Sequence, residues 1–109
     1  MQISVRRVER ATIFDVSGDI DLANSPNVRK ALLTEVRSRA PRVLLNLCEV
    51  RYIDSSGVAS LIESLKASRD IGSRFILFGL SGPAREVLQL SRLLNFFEIY
   101  DTETEALSA

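Results

Sequence analysis

The chain has 109 residues, of which 46% are hydrophobic and 26% are charged, and its fourteen Lys and Arg balance its fourteen Asp and Glu. We expect one globular domain, residues 1–109, and a net charge of zero argues against nucleic acid as a direct partner, because phosphate binding needs a basic surface. One cysteine and no histidine exclude an intrachain disulfide, a cysteine-rich zinc site and any catalysis or metal binding by histidine.

The first half of the chain predicts two strands, a helix and a third strand. Residues 2–17 alternate loosely between apolar and polar side chains, which is typical of two paired strands. The charged residues Arg6, Arg7, Glu9 and Arg10 are predicted to mark the turn between them, and Gly18 to end the second strand. Ser25 and Pro26 suit the cap and the first turn of a helix. The apolar run 43–48 predicts an inner strand that is covered on both faces.

The second half predicts further helices and strands. Its first helix has apolar residues spaced at i, i+3, i+4 and i+7, namely Val58, Leu61, Ile62 and Leu65. We expect this face to pack against Val43, Leu45 and residues 75–77, and Gly72 to end the helix. The later predicted elements are a strand at 75–78, an amphipathic helix at 83–94, a short strand at 97–100 and a last helix that begins with a Thr102–Glu105 capping box.

The order of these elements defines the fold class. Strands that alternate with helices pair in parallel through crossover connections, whereas the first two strands can pair as a hairpin. We therefore expect a single α/β domain, with a mixed sheet of four to five strands and with amphipathic helices packed mainly on one side. No apolar run approaches the roughly 18 residues that span a bilayer, and the N-terminal residues carry no secretory signal, so we expect a cytoplasmic protein without membrane insertion.

The segment Asp54-Ser55-Ser56-Gly57 connects an inner strand to a helix and is the strongest candidate site. Functional sites of α/β sheets commonly lie at such junctions. Two hydroxyl groups at a helix N-terminus suit a bound or covalently attached phosphate, because the free amides and the helix dipole favour negative charge. The residues alone leave a structural alternative open, in which Asp54 or Ser55 caps the helix and Gly57 eases the turn.

Three other features point less clearly to a function. Asp19 and Asp21 lack the further oxygen ligands that a divalent metal needs, and they are typical of a polar turn. The loop 79–83 has glycines but neither a Walker pattern nor dinucleotide-binding spacing, and Cys48 is predicted to be a buried structural cysteine. Without histidine, a G-x-S-x-G elbow or a metal-ligand cluster, we expect no catalytic residue, cofactor or metal, and we expect the protein not to be an enzyme.

Four segments, VSGDID (16–21), VLLNL (43–47), YIDSSGV (52–58) and FILFGL (75–80), precede a leucine-rich helix that is followed by Phe96 and Phe97. Over essentially the whole chain this pattern resembles the STAS domain family, and within it the bacterial anti-sigma factor antagonists. The leucine-rich helix and the two phenylalanines are interpreted as core packing, with a docking face as the alternative.

The resemblance implies a phosphorylation switch. It implies that an anti-sigma factor with serine kinase activity phosphorylates Ser55, and that the unphosphorylated form binds this factor and so frees a sigma factor. It places Asp21 near Ser55 as a contributor to partner binding, and Asp54, Ser56 and Gly57 in the same binding surface. Ser56 is the rival phosphate acceptor.

A second class of STAS proteins shares the same expectations for the fold. These are the small STAS subunits of bacterial lipid-transport ABC systems, which bind the transporter ATPase. The intact Asp-Ser-Ser-Gly segment favours the antagonist by analogy. The sequence leaves the oligomeric state open between a monomer and a weak dimer.

Overall fold

The computed structural model describes all 109 residues, Met1–Ala109. The elements in chain order are β1 (Gln2–Val8), β2 (Ala11–Ile20), α1 (Ser25–Arg37), β3 (Arg42–Ile53), α2 (Ser55–Asp70), β4 (Arg74–Phe78), α3 (Gly82–Leu90), β5 (Glu98–Tyr100) and α4 (Glu103–Ser108). This is the predicted order, and it includes the short final strand and the last helix with its Thr102–Glu105 capping box.

The five strands form one sheet in the order β1-β2-β3-β4-β5. β1 pairs with β2 in the antiparallel sense, and every other neighbouring pair is parallel, because the helices return the chain to the same edge of the sheet before each new strand. The predicted mixed sheet is therefore confirmed. The hairpin turn contains only Glu9 and Arg10, whereas Arg6 and Arg7 belong to β1, so the charged turn is shorter than its charge pattern indicates.

The two faces of the sheet are covered unequally. Helices α1, α2 and α3 cover one face, where 19 buried residues form the main core. Helix α4 contributes Ala106 to a smaller cluster of six buried residues on the other face. Successive residues of a strand point to opposite faces, so Phe14 lies in the main core and Ile13 in the smaller cluster. Packing of the helices mainly on one side is thus confirmed.

Helix α2 packs on the main core largely as its spacing predicts. Leu61 is fully buried, Val58 and Leu65 are nearly so, and Ile62 is half-buried at the margin. The expected contact with residues 75–77 needs a correction. Ile76 belongs to the smaller cluster on the opposite face, because it alternates along β4 with its two core-facing neighbours.

A row of buried serines lies along α2, and the first of them contacts α1. Ser60, Ser64 and Ser68 each donate a hydroxyl hydrogen bond to a carbonyl oxygen of the preceding turn, at 3.1, 2.9 and 2.7 Å respectively. The Ser60 hydroxyl also lies 3.4 Å from the carbonyl oxygen of Ser25 in α1. Small side chains with satisfied hydroxyl groups therefore allow the two helices to pack closely.

Strands β2 and β3 both continue beyond their predicted ends. Gly18 has a φ of +89° but does not end β2, because the strand continues to Ile20 after a shift in its register with β3. β3 extends past Asn46, which pairs with the last residue of β4. Cys48 lies in this extension, where β4 no longer pairs with β3, and it is exposed, so the prediction of a buried cysteine is wrong.

Helix α3 ends at Leu90, four residues before its predicted end. Arg92 takes a φ of +59°, its N–H donates to the carbonyl oxygen of Gln89 at 3.0 Å, and the Leu93 N–H donates to that of Leu88 at 2.7 Å. These two bonds are the Schellman arrangement that ends a helix. Among the residues that follow, Phe97 is buried in the main core, which supports the core-packing interpretation at that position.

A single guanidinium group connects the first strand to the last helix. Arg6 donates to the carboxylates of Asp15 at 2.6 and 3.0 Å and of Glu103 at 2.6 and 3.3 Å. The bonds from Arg6, assisted by a bond from the Asn46 amide, hold the pKa of Asp15 below its usual range.

None of the helices combines the length and the apolar character that crossing a membrane requires.

Candidate functional site

The junction between β3 and α2 is organised by the carboxylate of Asp54. Asp54 takes an extended conformation at the N-cap of α2, and its Oδ1 accepts the Gly57 N–H at 3.0 Å and the Ser56 hydroxyl at 2.5 Å. A side-chain oxygen at this position satisfies amides that have no partner within the helix. Asp54 is therefore the cap of the helix, which is one of the two caps that the structural alternative allowed. Ser55 is the first helical residue and not the cap.

The same carboxylate joins the loop between β2 and α1 to this junction. Oδ2 of Asp54 accepts the Leu22 N–H at 2.9 Å, and the Asp54 N–H donates to the carbonyl oxygen of Ile20 at 3.1 Å. Hydrogen bonds from the Ser56 hydroxyl, the Gly57 amide and the Leu22 amide lower the pKa of Asp54 below its usual range. Asp54 is therefore ionised at neutral pH and connects two parts of the candidate site.

The two adjacent serines have different environments. Ser56 is half-buried, and its hydroxyl is engaged by Asp54. Ser55 is exposed on the first turn of α2. An exposed hydroxyl group at a helix N-terminus is accessible to an external enzyme, and a negative charge placed there is favoured by the helix dipole. Of the two predicted acceptors, Ser55 is the better placed.

Asp21 gives the β2–α1 loop its shape. Its Oδ1 accepts the N–H groups of Ala23 and Asn24 at 3.1 and 3.3 Å, and the Asn24 side chain accepts the Asp21 N–H at 2.9 Å. Asn24 makes no side-chain cap bond to α1, and Ser25 is a buried helical residue, so the predicted serine cap is wrong. The N–H groups of Ser25 and Asn27 at the start of α1 instead donate to the carbonyl oxygens of Asp21 and Asn24, at 2.7 and 3.0 Å.

The other candidate residues of this edge have structural partners. Asp19 lies in β2 and forms an ion pair with Arg51 at 3.6 Å, whereas the Asp21 carboxylate accepts hydrogen bonds within its own loop. Ser81, in the glycine-containing loop 79–83, caps α3 by accepting the Ala84 N–H at 3.2 Å. That loop is an ordinary helix start, as its composition indicates. No three His, Cys, Asp or Glu side chains of the chain are grouped in a way that would hold a metal ion.

Gly57 is buried, and its lack of a side chain allows α2 to start close to β2 and β3. A Cβ atom at this position would lie 2.8 Å from the carbonyl oxygen of Ile20 and 2.8 Å from a methyl group of Ile53. Neither neighbour can move freely, because one is backbone and the other is buried. The glycine of the Asp-Ser-Ser-Gly segment is thus explained by close packing.

Replacement of Gly57 by alanine is expected to lower the free energy of unfolding by about 1–3 kcal/mol, the usual result of forcing an extra group into a packed region. Urea denaturation of the variant measures this change. Gly82→Ala is the control, because a Cβ atom at Gly82 meets no neighbour within 4 Å. An equal loss of stability in both variants would contradict the packing explanation.

Exposed apolar side chains occur around this edge of the sheet. Leu22 is 75% exposed in the β2–α1 loop, Tyr52 is 53% exposed near the end of β3, and Leu90 is 76% exposed at the end of α3. Tyr52 and Leu90 line one shallow groove of about 250 Å³. Leu22 and Tyr52 were not among the candidates, although an isolated leucine in a polar loop is a detectable signal in the sequence.

The carboxylate next to Ser55 is poorly suited to act as a base. The neighbouring carboxylate, Asp54, is engaged through both oxygens, and its lowered pKa makes it a weak base.

Comparisons with known proteins agree on one family. The family model described as STAS domain matches residues 2–106. The chain is 33% identical over 109 residues to the anti-sigma-B factor antagonist of Listeria monocytogenes serovar 1/2a, covering 96% of this chain and 95% of that protein.

Solved structures share the fold. An anti-sigma factor antagonist from Mycobacterium paratuberculosis matches with a TM-score of 0.88 and 25% identity, covering 98% of this chain and 91% of that one. The Bacillus protein SpoIIAA matches in its unphosphorylated form with a TM-score of 0.82 and 23% identity, covering 97% and 93% of the two chains. Its phosphorylated form matches with a TM-score of 0.76 and 24% identity, covering 98% and 97%.

Proposed function

Since this chain belongs to the STAS domain family, we propose that it is an anti-sigma factor antagonist that phosphorylation of Ser55 switches off. In this proposal the unphosphorylated chain binds an anti-sigma factor with serine kinase activity and thereby frees a sigma factor. The observation that carries the proposal is the exposed Ser55 at the start of α2, next to a loop that is joined to the same junction. The similarity to the Listeria antagonist, which extends over nearly all of both chains, supports it.

The fold is suited to carry the phosphoryl group. A phosphoserine adds about −1.5 to −2 charges near neutral pH. At the N-terminus of α2 this charge gains about 0.3–1 kcal/mol from the helix dipole, while the ionised Asp54 beside it opposes it. These opposing effects are small compared with the core that holds α2, so the modified chain keeps its fold.

The chemistry of the switch belongs to the partner. The kinase transfers the terminal phosphoryl group of ATP to the Ser55 oxygen, a base of the kinase takes the hydroxyl proton, and ADP leaves. The chain itself is a substrate and a ligand and needs no cofactor. Asp21 and Asp54 hold the loop and the helix start in one geometry, and Ser56 and Gly57 complete the turn beneath Ser55.

Affinity purification from the source bacterium tests this function. The wild-type chain, Ser55→Glu and the control Ser38→Glu are used as baits, and bound proteins are identified by mass spectrometry. Ser38 is exposed and follows α1 at the opposite end of the parallel strands, so the control adds the same charge away from Ser55. We expect the wild type and the control to recover an anti-sigma factor kinase, and Ser55→Glu to lose it.

Two results would overturn the proposal. Recovery of a transporter ATPase with its permease would instead identify the chain as a STAS subunit of a lipid-transport ABC system. Equal recovery of the kinase by all three baits would show that Ser55 does not control binding.

A further inference from the structure

Leu22 is an exposed leucine whose backbone is held by the surrounding hydrogen bonds. Its side chain is 75% exposed, yet its own N–H donates to Asp54 at 2.9 Å. The residues on either side of it are fixed by the reciprocal bonds between Asp21 and Asn24. Single exposed leucines are common on protein surfaces. What distinguishes Leu22 is a rigid backbone that is bonded to the residue directly before Ser55.

A fixed apolar group has an advantage in recognition. A partner that buries it removes apolar surface from water, which is favourable. Little backbone entropy is lost on binding, since hydrogen bonds already hold the loop backbone. Leu22 therefore combines the two properties that make a contact residue effective.

We propose that Leu22 is the apolar anchor for the anti-sigma factor and that Asp54 is the residue that positions it. The inference rests on the proposed function, which supplies the partner. A kinase that reaches the Ser55 hydroxyl must cover the start of α2, and the Asp54 bond places the Leu22 backbone at that same junction. The matching partner surface is an apolar pocket beside the site that accepts Ser55.

Leu90 provides a matched control. It is 76% exposed, almost as Leu22 is, and it lines the neighbouring groove with Tyr52, but it lies at the end of α3 and not in the loop that Asp54 holds. The comparison therefore separates Leu22 from another exposed leucine at the same edge of the sheet. Truncation to alanine removes the same atoms at both positions. Since both side chains are exposed, neither truncation is expected to change the urea denaturation midpoint appreciably.

The first measurement compares affinities. The anti-sigma factor kinase recovered by affinity purification is purified and titrated calorimetrically with the wild-type chain, Leu22→Ala and Leu90→Ala. We expect Leu22→Ala to weaken binding about tenfold to hundredfold, as for a leucine that becomes buried in the complex. We expect Leu90→Ala to change the affinity by less than about threefold.

The second measurement separates positioning by Asp54 from its role as a cap. Asparagine is as good an N-cap as aspartate but has only one acceptor oxygen, so Asp54→Asn can keep the bonds within α2 or the Leu22 bond, but not both. Because the cap satisfies two donors, we expect it to persist and the Leu22 bond to break. Amide hydrogen exchange should then accelerate at Leu22 and not at Gly57, and the affinity for the kinase should fall.

The outcomes distinguish this inference from the proposed function. If Ser55→Glu loses the kinase while Leu22→Ala binds like the wild type, the function stands and the anchor is refuted. Equal losses in Leu22→Ala and Leu90→Ala would also refute Leu22 as the anchor. A Leu22 amide that stays protected in Asp54→Asn, or an unchanged affinity, would refute the positioning role. If the wild type binds no anti-sigma factor, both proposals fail together.

Discussion

Phosphorylation of Ser55 is expected to lower the affinity of the chain for its anti-sigma factor by about a thousandfold, which corresponds to about 4 kcal/mol. Two physical effects contribute. If the partner places a carboxylate about 6 Å from the phosphate, the repulsion amounts to about 1–5 kcal/mol, depending on how far the interface excludes water. Burial of the doubly charged group removes it from solvent and adds to the loss.

The proposed acceptor and its neighbour differ in exposure. Ser55 is exposed, whereas the hydroxyl of Ser56 is engaged by Asp54. The added charge is therefore expected to lie in solvent and not inside the domain. The unfolding midpoint of the phosphorylated chain should stay close to that of the unmodified chain, so that any loss of binding reports on the interface.

The measurement uses the chain phosphorylated by its kinase, with the modified site mapped by mass spectrometry. Titration of both forms against the anti-sigma factor gives the ratio of affinities. Ser38→Glu is the control for added negative charge, and it should bind like the wild type. Phosphate on Ser56 alone, or equal affinity of the two forms, would contradict the switch.

Truncation of Leu61 to alanine is expected to lower the free energy of unfolding by about 2–5 kcal/mol. Leu61 is fully buried between α2 and the sheet, among the 19 residues of the main core. Its removal takes away apolar contacts and leaves a cavity that the packed surroundings only partly fill. Small domains are stable by about 5–15 kcal/mol, so this loss is a substantial fraction of the total.

Urea denaturation followed by circular dichroism measures this effect. Leu90→Ala is the matched control, because it removes the same atoms from a side chain that is 76% exposed. We expect the control to lie within about 0.5 kcal/mol of the wild type. Similar midpoints for the wild type and Leu61→Ala would show that α2 does not pack on the sheet through this residue.

Patterns of apolar spacing and local turn chemistry predicted most of the fold. The spacing from Val58 to Leu65 identified the buried face of α2, and the Thr102–Glu105 capping box identified the last helix. The Asp-Ser-Ser-Gly segment identified the junction at which the candidate site lies. These signals depend on neighbours within about one helical turn, and such signals can be read directly from a sequence.

Features that depend on distant neighbours were not predicted. The exposure of Cys48 follows from the extension of β3 beyond β4, and the bond from Leu22 to Asp54 joins residues that are 32 positions apart. The end of α3 was missed for a different reason. Arg92 adopts a positive φ, which glycine usually provides at the end of a helix, so the sequence carries no glycine to mark this end. The leucine spacing continues to Leu94, whereas the helix ends at Leu90.

The agreement between chain order and sheet order has a consequence for synthesis on the ribosome. Each strand pairs with the strand made just before it, so β1 to β5 can join the sheet one after another as they emerge. The ion pair between Arg6 and Glu103, 97 residues apart, and the bond from Arg42 to the carbonyl oxygen of Leu107 form only when α4 is complete. Nascent chains that lack α4 keep the smaller cluster on the far face of the sheet uncovered. Chaperone binding during translation is therefore expected to persist until α4 has emerged.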